Sequence, residues 1–427
     1  MTVDSLQTPA SMQDTLAPQP WMTAPPTRAV IEALEAHGGR GCARFVGGCV
    51  RNALIGRDAT DIDIATTLTP DETTAALEAA RIRAAPTGVE HGTITAIVDH
   101  QPFEVTTLRR DVSTDGRRAV VAFTNDWAED ANRRDFRMNA VYADPEGKLF
   151  DPTGHGVQDA HAGRVVFVGD PMVRIREDYL RILRFFRFLA WFGRGEPDAV
   201  GLAACRALKG MLSGRAAERT QMELLKLLAA PDPRRAVKLM ADAGVLAAIL
   251  PSVKDLKRFD GVVEIERTVL SQNDPLLRLV ALLPLERPVA EQTAERLRLS
   301  KAQRETLIAA VGQDVKITSW MSPRQVRKAV YHLGVQTFAD RVKLAWAAAP
   351  SVKTAPQWRG LLTLAESWSR PTFPVTGEDA IAAGVPEGPQ VGQVLREVED
   401  WWIDEDFPVD GGLALERLQT VTRGMIP

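Results

Sequence analysis

A length of 427 residues, 45% hydrophobic and 25% charged, supplies more than one buried core and exceeds a single ordinary domain. The 52 basic and 55 acidic residues, a formal net charge of −3, exclude a histone-like polyanion binder, so any nucleic acid must be met by local positive patches. Three scattered cysteines exclude a disulfide framework and a four-cysteine zinc site and point to a reducing cytoplasm, and no apolar run reaches the roughly 20 residues of a membrane span.

Residues 1–26 are rich in Pro, Ser, Thr and Gln, carry neither a basic start nor an apolar signal core, and read as a flexible lead-in with Trp21 as a candidate for docking. From Thr27 the spacing of Val30, Leu34 and His37 predicts a helix closed by Gly38-Gly39. Ala43 to Val46 then reads as a strand entering the Gly47-Gly48 turn. Further strands are predicted over Asp61–Ala65, Thr93–Asp99, Phe103–Leu108 and Val120–Phe123, with a helix over Pro70–Ala80 capped by Thr69. Residues 27–155 are therefore expected to be α+β, with a mixed or antiparallel sheet.

After Gly169-Asp170-Pro171, Ile175, Tyr179, Ile182, Leu183, Phe186 and Leu189 recur at helical spacing, and the rest of the chain reads as all helix. Ser300 with Gln303 and Ser322 with Gln325 fit capping boxes, with Pro323 at the tolerated first helical position. The stretch Gly384–Pro389 interrupts the helices.

Three clusters carry chemistry. In the first, Gly47 and Gly48 let backbone N–H groups approach phosphate oxygens, and Arg51 adds a charge-assisted fork. Nine residues beyond Asn52 come Asp61 and Asp63, which on a strand would share one face and present two carboxylates to a divalent cation such as Mg²⁺. Glu104, on the predicted strand from Phe103, reads either as a third acidic ligand or as an ordinary exposed strand position.

The second cluster, Arg133 to Ala140, is a basic run in which Phe136, Met138 and Ala140 interleave, so that Arg134 is available for a triphosphate or sugar. The third spaces Asp178, Arg181, Arg184 and Arg187 by three along one predicted helical stripe. One reading is a salt-bridged amphipathic helix. The other is a carboxylate and a guanidinium that together read the edge of a base without a template.

In these motifs the chain resembles the class II tRNA nucleotidyltransferases and bacterial poly(A) polymerases of the polymerase β superfamily, over roughly residues 40–230. The metal motif is matched by Gly47, Gly48, Arg51, Asp61 and Asp63, the Arg-Arg-Asp motif by Arg133 to Ala140, and the base-reading Glu-Asp-x-x-Arg motif by Glu177 to Arg181. Asp151-Pro-Thr-Gly-His-Gly and Glu218-Arg219 with Glu223 resemble two structural motifs, and residues 110–117 resemble the family's flexible loop. Three positions depart from the family pattern: Asn52 where Asp is commoner, Arg137-Met138 for Thr-Ile, and His155 for Gly.

The resemblance implies a nucleotidyltransferase head over 27–155, a helical neck over 156–285 that binds base and RNA, and a helical body and tail over 286–427 that binds tRNA. It implies transfer of CMP twice and AMP once from CTP and ATP to the tRNA 3′ end, with Asp61 and Asp63 holding Mg²⁺ and Asp178, Arg181, Arg184 and Arg187 near the nucleotide. The mobile loop would bias the pocket from cytosine to adenine. Rival readings are a poly(A) polymerase, an enzyme adding only CC or only A, and a catalytically silent RNA-binding protein.

Overall fold

The computed structural model describes residues 15–59, 61–114, 119–212 and 217–424. It divides into two compact units, one ending at Pro251 and the other starting at Ser252.

In the first unit, residues 15–26 are packed rather than loose. Thr15 bridges Lys148, Leu16 and Met22 are buried, and Trp21 meets Phe45 edge-on at 4.9 Å. Proline-started helices α1 (Pro20–Thr23) and α2 (Pro25–Gly38) follow, the second turning both Val30 and Leu34 into the core before Gly39 ends it. Strand β1 (Ala43–Val46) then runs through Gly47 into helix α3 (Gly48–Leu54).

Strand β2 (Asp63–Thr66) is followed by helix α4 (Pro70–Ala79), where Thr69 and Glu72 close a reciprocal capping box. Strands β3 (Arg83–Gly88), β4 (Thr93–Val98) and β5 (Gln101–Thr107) complete most of the main sheet. A separate ribbon is formed by β6 (Arg109–Thr114) and β7 (Ala119–Phe123). Arg110, Asp111, Ser113 and Thr114 of the expected mobile loop thus pair with β7, with an irregularity between Asp111 and Ser113, and residues 115–117 lie outside the described residues.

Helix α5 (Trp127–Asn132) and two short strands, β8 (Tyr142–Ala143) and β9 (Leu149–Phe150), finish the sheet. Its order is β3-β4-β5-β2-β1-β8-β9, antiparallel throughout except where β2 lies parallel to β5, so the sheet is mixed.

Among the described residues no strand follows β9. Helix α6 (Gly156–Ala162) packs so closely that a Cβ at Gly156 would lie 2.4 Å from the Arg137 carbonyl, which requires glycine there. Helices α7 (Pro171–Glu177), α8 (Arg181–Phe192), α9 (Ala199–Leu208) and α10 (Ala217–Leu228) come next. The continuous helix predicted through Ile175 to Leu189 is broken: Asp178 has extended backbone (φ −148°, ψ 104°) between α7 and α8.

The regular elements described in the second unit are all helices. The capping boxes at Ser300 and Ser322 form as expected, and no helix starts between Gly384 and Gly388. Its last part closes on an aromatic and aliphatic core around Tyr331, Trp402, Phe407 and Leu418.

Candidate active site

The glycine turn between β1 and α3 lies over β2. Gly47 has φ +75°, and a Cβ built on it would lie 3.6 Å from Asp63 Oδ2 and 3.7 Å from Arg134 Nη1. The turn, the carboxylate and the guanidinium therefore converge on one point, and the left-handed backbone there suits glycine. Parallel pairing of β2 with β5 sets Glu104 directly beside Asp63.

Asp61 falls outside the strand. The strand begins at Asp63, and Asp61 is exposed in the segment before it, so the two aspartates are not successive same-face residues of one strand. Strand pairing starts only where Asp63 finds Glu104 as its neighbour. The two carboxylates are still electrostatically coupled: burial, then Glu104, then Asp61 push the Asp63 carboxyl up to about 6, against the opposing pull of Arg134 and Arg51. Neither Asp63 nor Glu104 forms an ion pair among the described residues.

These are hard oxygen donors whose negative charge is under-neutralised, which fits a divalent cation. Among the described residues no three His, Cys, Asp or Glu side chains are already gathered as a metal cluster. Glu104 is exposed at its strand position.

Arg51, only 9% exposed on α3, donates to Asn52 Oδ1 (2.8 Å) and Asn139 Oδ1 (2.7 Å), both neutral, and stacks 4.0 Å from the Phe192 ring centre. Burial lowers its pKa to about 10, which still leaves it cationic at neutral pH. Arg51 and Asp61 line a cavity of about 420 Å³ with Arg187, Phe188, Trp191, Phe192, Lys226 and Ala229. The aromatic wall and Lys226 were not singled out from sequence, although Phe188, Trp191 and Phe192 follow at helical spacing from Arg184 and Arg187 of the third cluster.

Arg134 is fixed by Asp130, which accepts from its Nη2 at 3.0 Å and also binds Arg133 Nε (2.7 Å) and the Tyr142 hydroxyl (2.6 Å). Burial alone would raise the Asp130 carboxyl, but Arg134, Arg133 and Tyr142 hold it down at about 2. Asp135 is held at about 2 in the same way, burial being outweighed by Arg184, the Asn139 amide and the Phe136 N–H. Arg184 Nε reaches Asp135 at 2.9 Å, so Arg184 serves this lattice; Arg187 lies 3.0 Å from Glu223 and also faces the cavity. Arg137 is directed to Asp159 on α6, 3.8 Å away.

Because the helix breaks at Asp178, the four residues spaced by three do not form one stripe. Asp178 turns to Arg219 of α10 (2.9 Å), while Arg181, the first residue of α8, donates to Glu177 (2.5 Å) and to the Arg174 carbonyl (2.7 Å). Arg174 and Asp130, absent from the sequence-derived set, both anchor residues within it.

Comparison with known proteins identifies the family. The family described as "Poly A polymerase head domain" matches residues 43–166, and "Probable RNA and SrmB- binding site of polymerase A" matches residues 198–257. The protein named CCA tRNA nucleotidyltransferase 1, mitochondrial, is 34% identical over 370 residues in Danio rerio, covering 84% of this chain and 83% of that protein. The human protein of the same name is 34% identical over 383 residues (86% and 84%). The CCA-adding enzyme of Streptococcus gordonii is 31% identical over 390 residues (89% and 93%). Among solved structures, the Bacillus stearothermophilus CCA-adding enzyme in complex with CTP shares the fold, with a TM-score of 0.73 at 24% identity, covering 94% of this chain and 100% of that one.

Proposed function

The chain belongs to the CCA tRNA nucleotidyltransferase family, and from that membership we propose that it builds the CCA end of tRNA, adding CMP, CMP and AMP from CTP and ATP. In each step the tRNA 3′ oxygen bonds to the nucleotide α-phosphorus and pyrophosphate leaves. The observation that carries the assignment of the reacting centre is the meeting of Gly47, Asp63 and Arg134 beside Glu104.

The family fold implies divalent-metal dependence, and Asp61 and Asp63 are the residues we assign to hold the ion, with Glu104 adjacent. Hard carboxylate oxygens favour Mg²⁺, which when bound supplies charge to the attacking hydroxyl and the leaving pyrophosphate. Gly47 and Gly48 leave room for the triphosphate, and Arg51, Arg187 and Lys226 give the neighbouring cavity a positive wall. Phe188, Trp191 and Phe192 add an apolar face there.

We assign base reading to Asp178 and Arg181. A carboxylate accepts from the exocyclic amine that cytosine and adenine share, and a guanidinium donates to the adjacent ring nitrogen. Asp178 now accepts from Arg219, and Arg181 donates to Glu177. Three unpaired, buried cysteines are consistent with a reducing compartment, which we take to be the cytoplasm. No helix among the described residues is long and apolar enough to cross a membrane.

The test is to incubate the protein and Mg²⁺ with tRNAs ending before CCA, after C and after CC, supplying CTP and ATP separately and together. The expected products are CC with CTP alone and a complete CCA with both. Repeated addition of A, or arrest at CC with both nucleotides present, would contradict the proposal.

A further inference from the structure

Arg174 lies in the last turn of α7, is 7% exposed, and does not line the cavity that holds Arg51 and Arg187. Its guanidinium nevertheless joins two parts of the site. One arm, Nη2, donates to the carbonyls of Arg133 and Arg134 (3.0 Å for the latter), in the backbone segment whose Arg134 side chain reaches Gly47 and Asp63. The other, Nη1, donates to Glu177 Oε2.

The same Glu177 oxygen accepts from Arg181 Nη1 at 2.5 Å. That nitrogen also donates to the Arg174 carbonyl at 2.7 Å, and Arg181 Nη2 lies 3.4 Å from the Arg133 carbonyl. Among the described residues, the hydrogen bonds of the Arg181 guanidinium therefore go to the Arg174 main-chain carbonyl or to the two groups, Glu177 and the Arg133 carbonyl, that the Arg174 guanidinium also holds. A buried guanidinium with a rigid fork can fix two acceptors at once, which a single ammonium cannot.

We propose that Arg174 is a positioning residue for nucleotide selection: it fixes the plane of Arg181 and its spacing from the Asp63 end of the site. The inference rests on the assignment of Asp178 and Arg181 as base readers. Cytosine and adenine offer an amine donor beside a ring acceptor, whereas uracil and guanine offer a carbonyl acceptor beside a ring N–H. A fixed acceptor and donor pair accepts the first pattern and opposes the second. Without the Arg174 guanidinium, Glu177 and the Arg133 carbonyl lose the anchor that fixes them, Arg181 can swing with them and turn its donors onto the carbonyl of uracil or guanine, and selection falls.

The experiment measures kcat and KM for CTP, ATP, UTP and GTP in the parent, Arg174→Gln, Arg174→Lys and Arg181→Ala, on tRNAs ending before CCA and after CC, with thermal unfolding recorded for each. For Arg174→Gln the CTP-to-UTP and ATP-to-GTP ratios of kcat/KM should fall about tenfold or more, the scale of one base contact. Arg174→Lys should lie between this variant and the parent, since it keeps the charge beside Glu177 without the second arm. It also carries the test if the glutamine variant unfolds. Equal loss for all four nucleotides in the Arg174 variants, with relaxed selection in Arg181→Ala, overturns the positioning role and leaves base reading intact. Unchanged preference in Arg181→Ala overturns both.

Discussion

Asp63 and Asp130 are both carboxylates withdrawn from water in the first compact unit, yet they titrate in opposite directions. Asp63 sits on β2 among Glu104 and Asp61 and is pushed up to about 6, whereas Asp130 on α5 is gripped by Arg134, Arg133 and Tyr142 and held at about 2. Asp135, gripped by Arg184, behaves like Asp130. The contrast separates two uses of buried negative charge. Asp130 and Asp135 are neutralised by the chain's own arginines and hold the frame together; Asp63 has no such partner among the described residues and is the carboxylate we propose for the cation.

The largest effect that would sharpen this contrast is catalytic. Asp61→Ala or Asp63→Ala should lower both C and A addition on the order of a thousandfold or more, equivalent to several kcal/mol of transition-state stabilisation. Binding of tRNA and the melting temperature should stay near the parent's. Near-normal turnover in single-turnover assays of either variant would break the distinction at once.

Next in size is Asp130→Ala, which strands Arg133 and Arg134 without their anion in a buried setting. Breaking a buried pair from one side costs about 3–5 kcal/mol. Urea unfolding of this variant should show that loss, and a loss below about 1 kcal/mol would mean the lattice is not structural.

Smaller again is selection, where Asp178→Ala should relax discrimination against UTP and GTP by about 1–3 kcal/mol, read as ratios of kcat/KM. Loss of rate without change of preference would reduce this segment to a salt-bridged scaffold.

The acid limb of stability is an effect of similar size per group, spread over a pH range. The folded pKa values of Asp130 and Asp135, about 2, lie below the ordinary aspartate value. Their stabilisation is therefore fully present above about pH 4 and lost as pH falls toward 2, by roughly 2 kcal/mol each. Urea midpoints measured from pH 5 to pH 2.5 should fall less steeply in Asp135→Asn than in the parent.

Much of this frame was legible in the residues. The Gly47-Gly48 turn, the cap at Thr69 and the boxes at Ser300 and Ser322 are local, each set by a residue or two whose side chain or backbone freedom decides the geometry. The break at Asp178 was not legible, because Glu177-Asp178-Tyr179 contains neither Pro nor Gly and the apolar spacing of Ile175, Tyr179 and Ile182 runs straight across it. Tertiary pairing of Asp178 with Arg219 accompanies the change in backbone direction there.

Strand β3, Arg-Ala-Ala-Pro-Thr-Gly, carries no apolar alternation and tolerates Pro86 because it lies at the sheet edge. Leu16 and Met22, in a composition that reads as loose, bury against a surface that only the folded unit provides. The wall formed by Phe188, Trp191 and Phe192 shares its helical spacing with ordinary core residues, and only the cavity distinguishes it.

The most direct test of the central claim is Mn²⁺ binding, followed by electron paramagnetic resonance, in the parent, Asp63→Asn and Asp178→Asn, each with CTP present. The account predicts saturable binding in the parent and in Asp178→Asn and its loss in Asp63→Asn with the fold intact. Equal Mn²⁺ binding in all three proteins would contradict it.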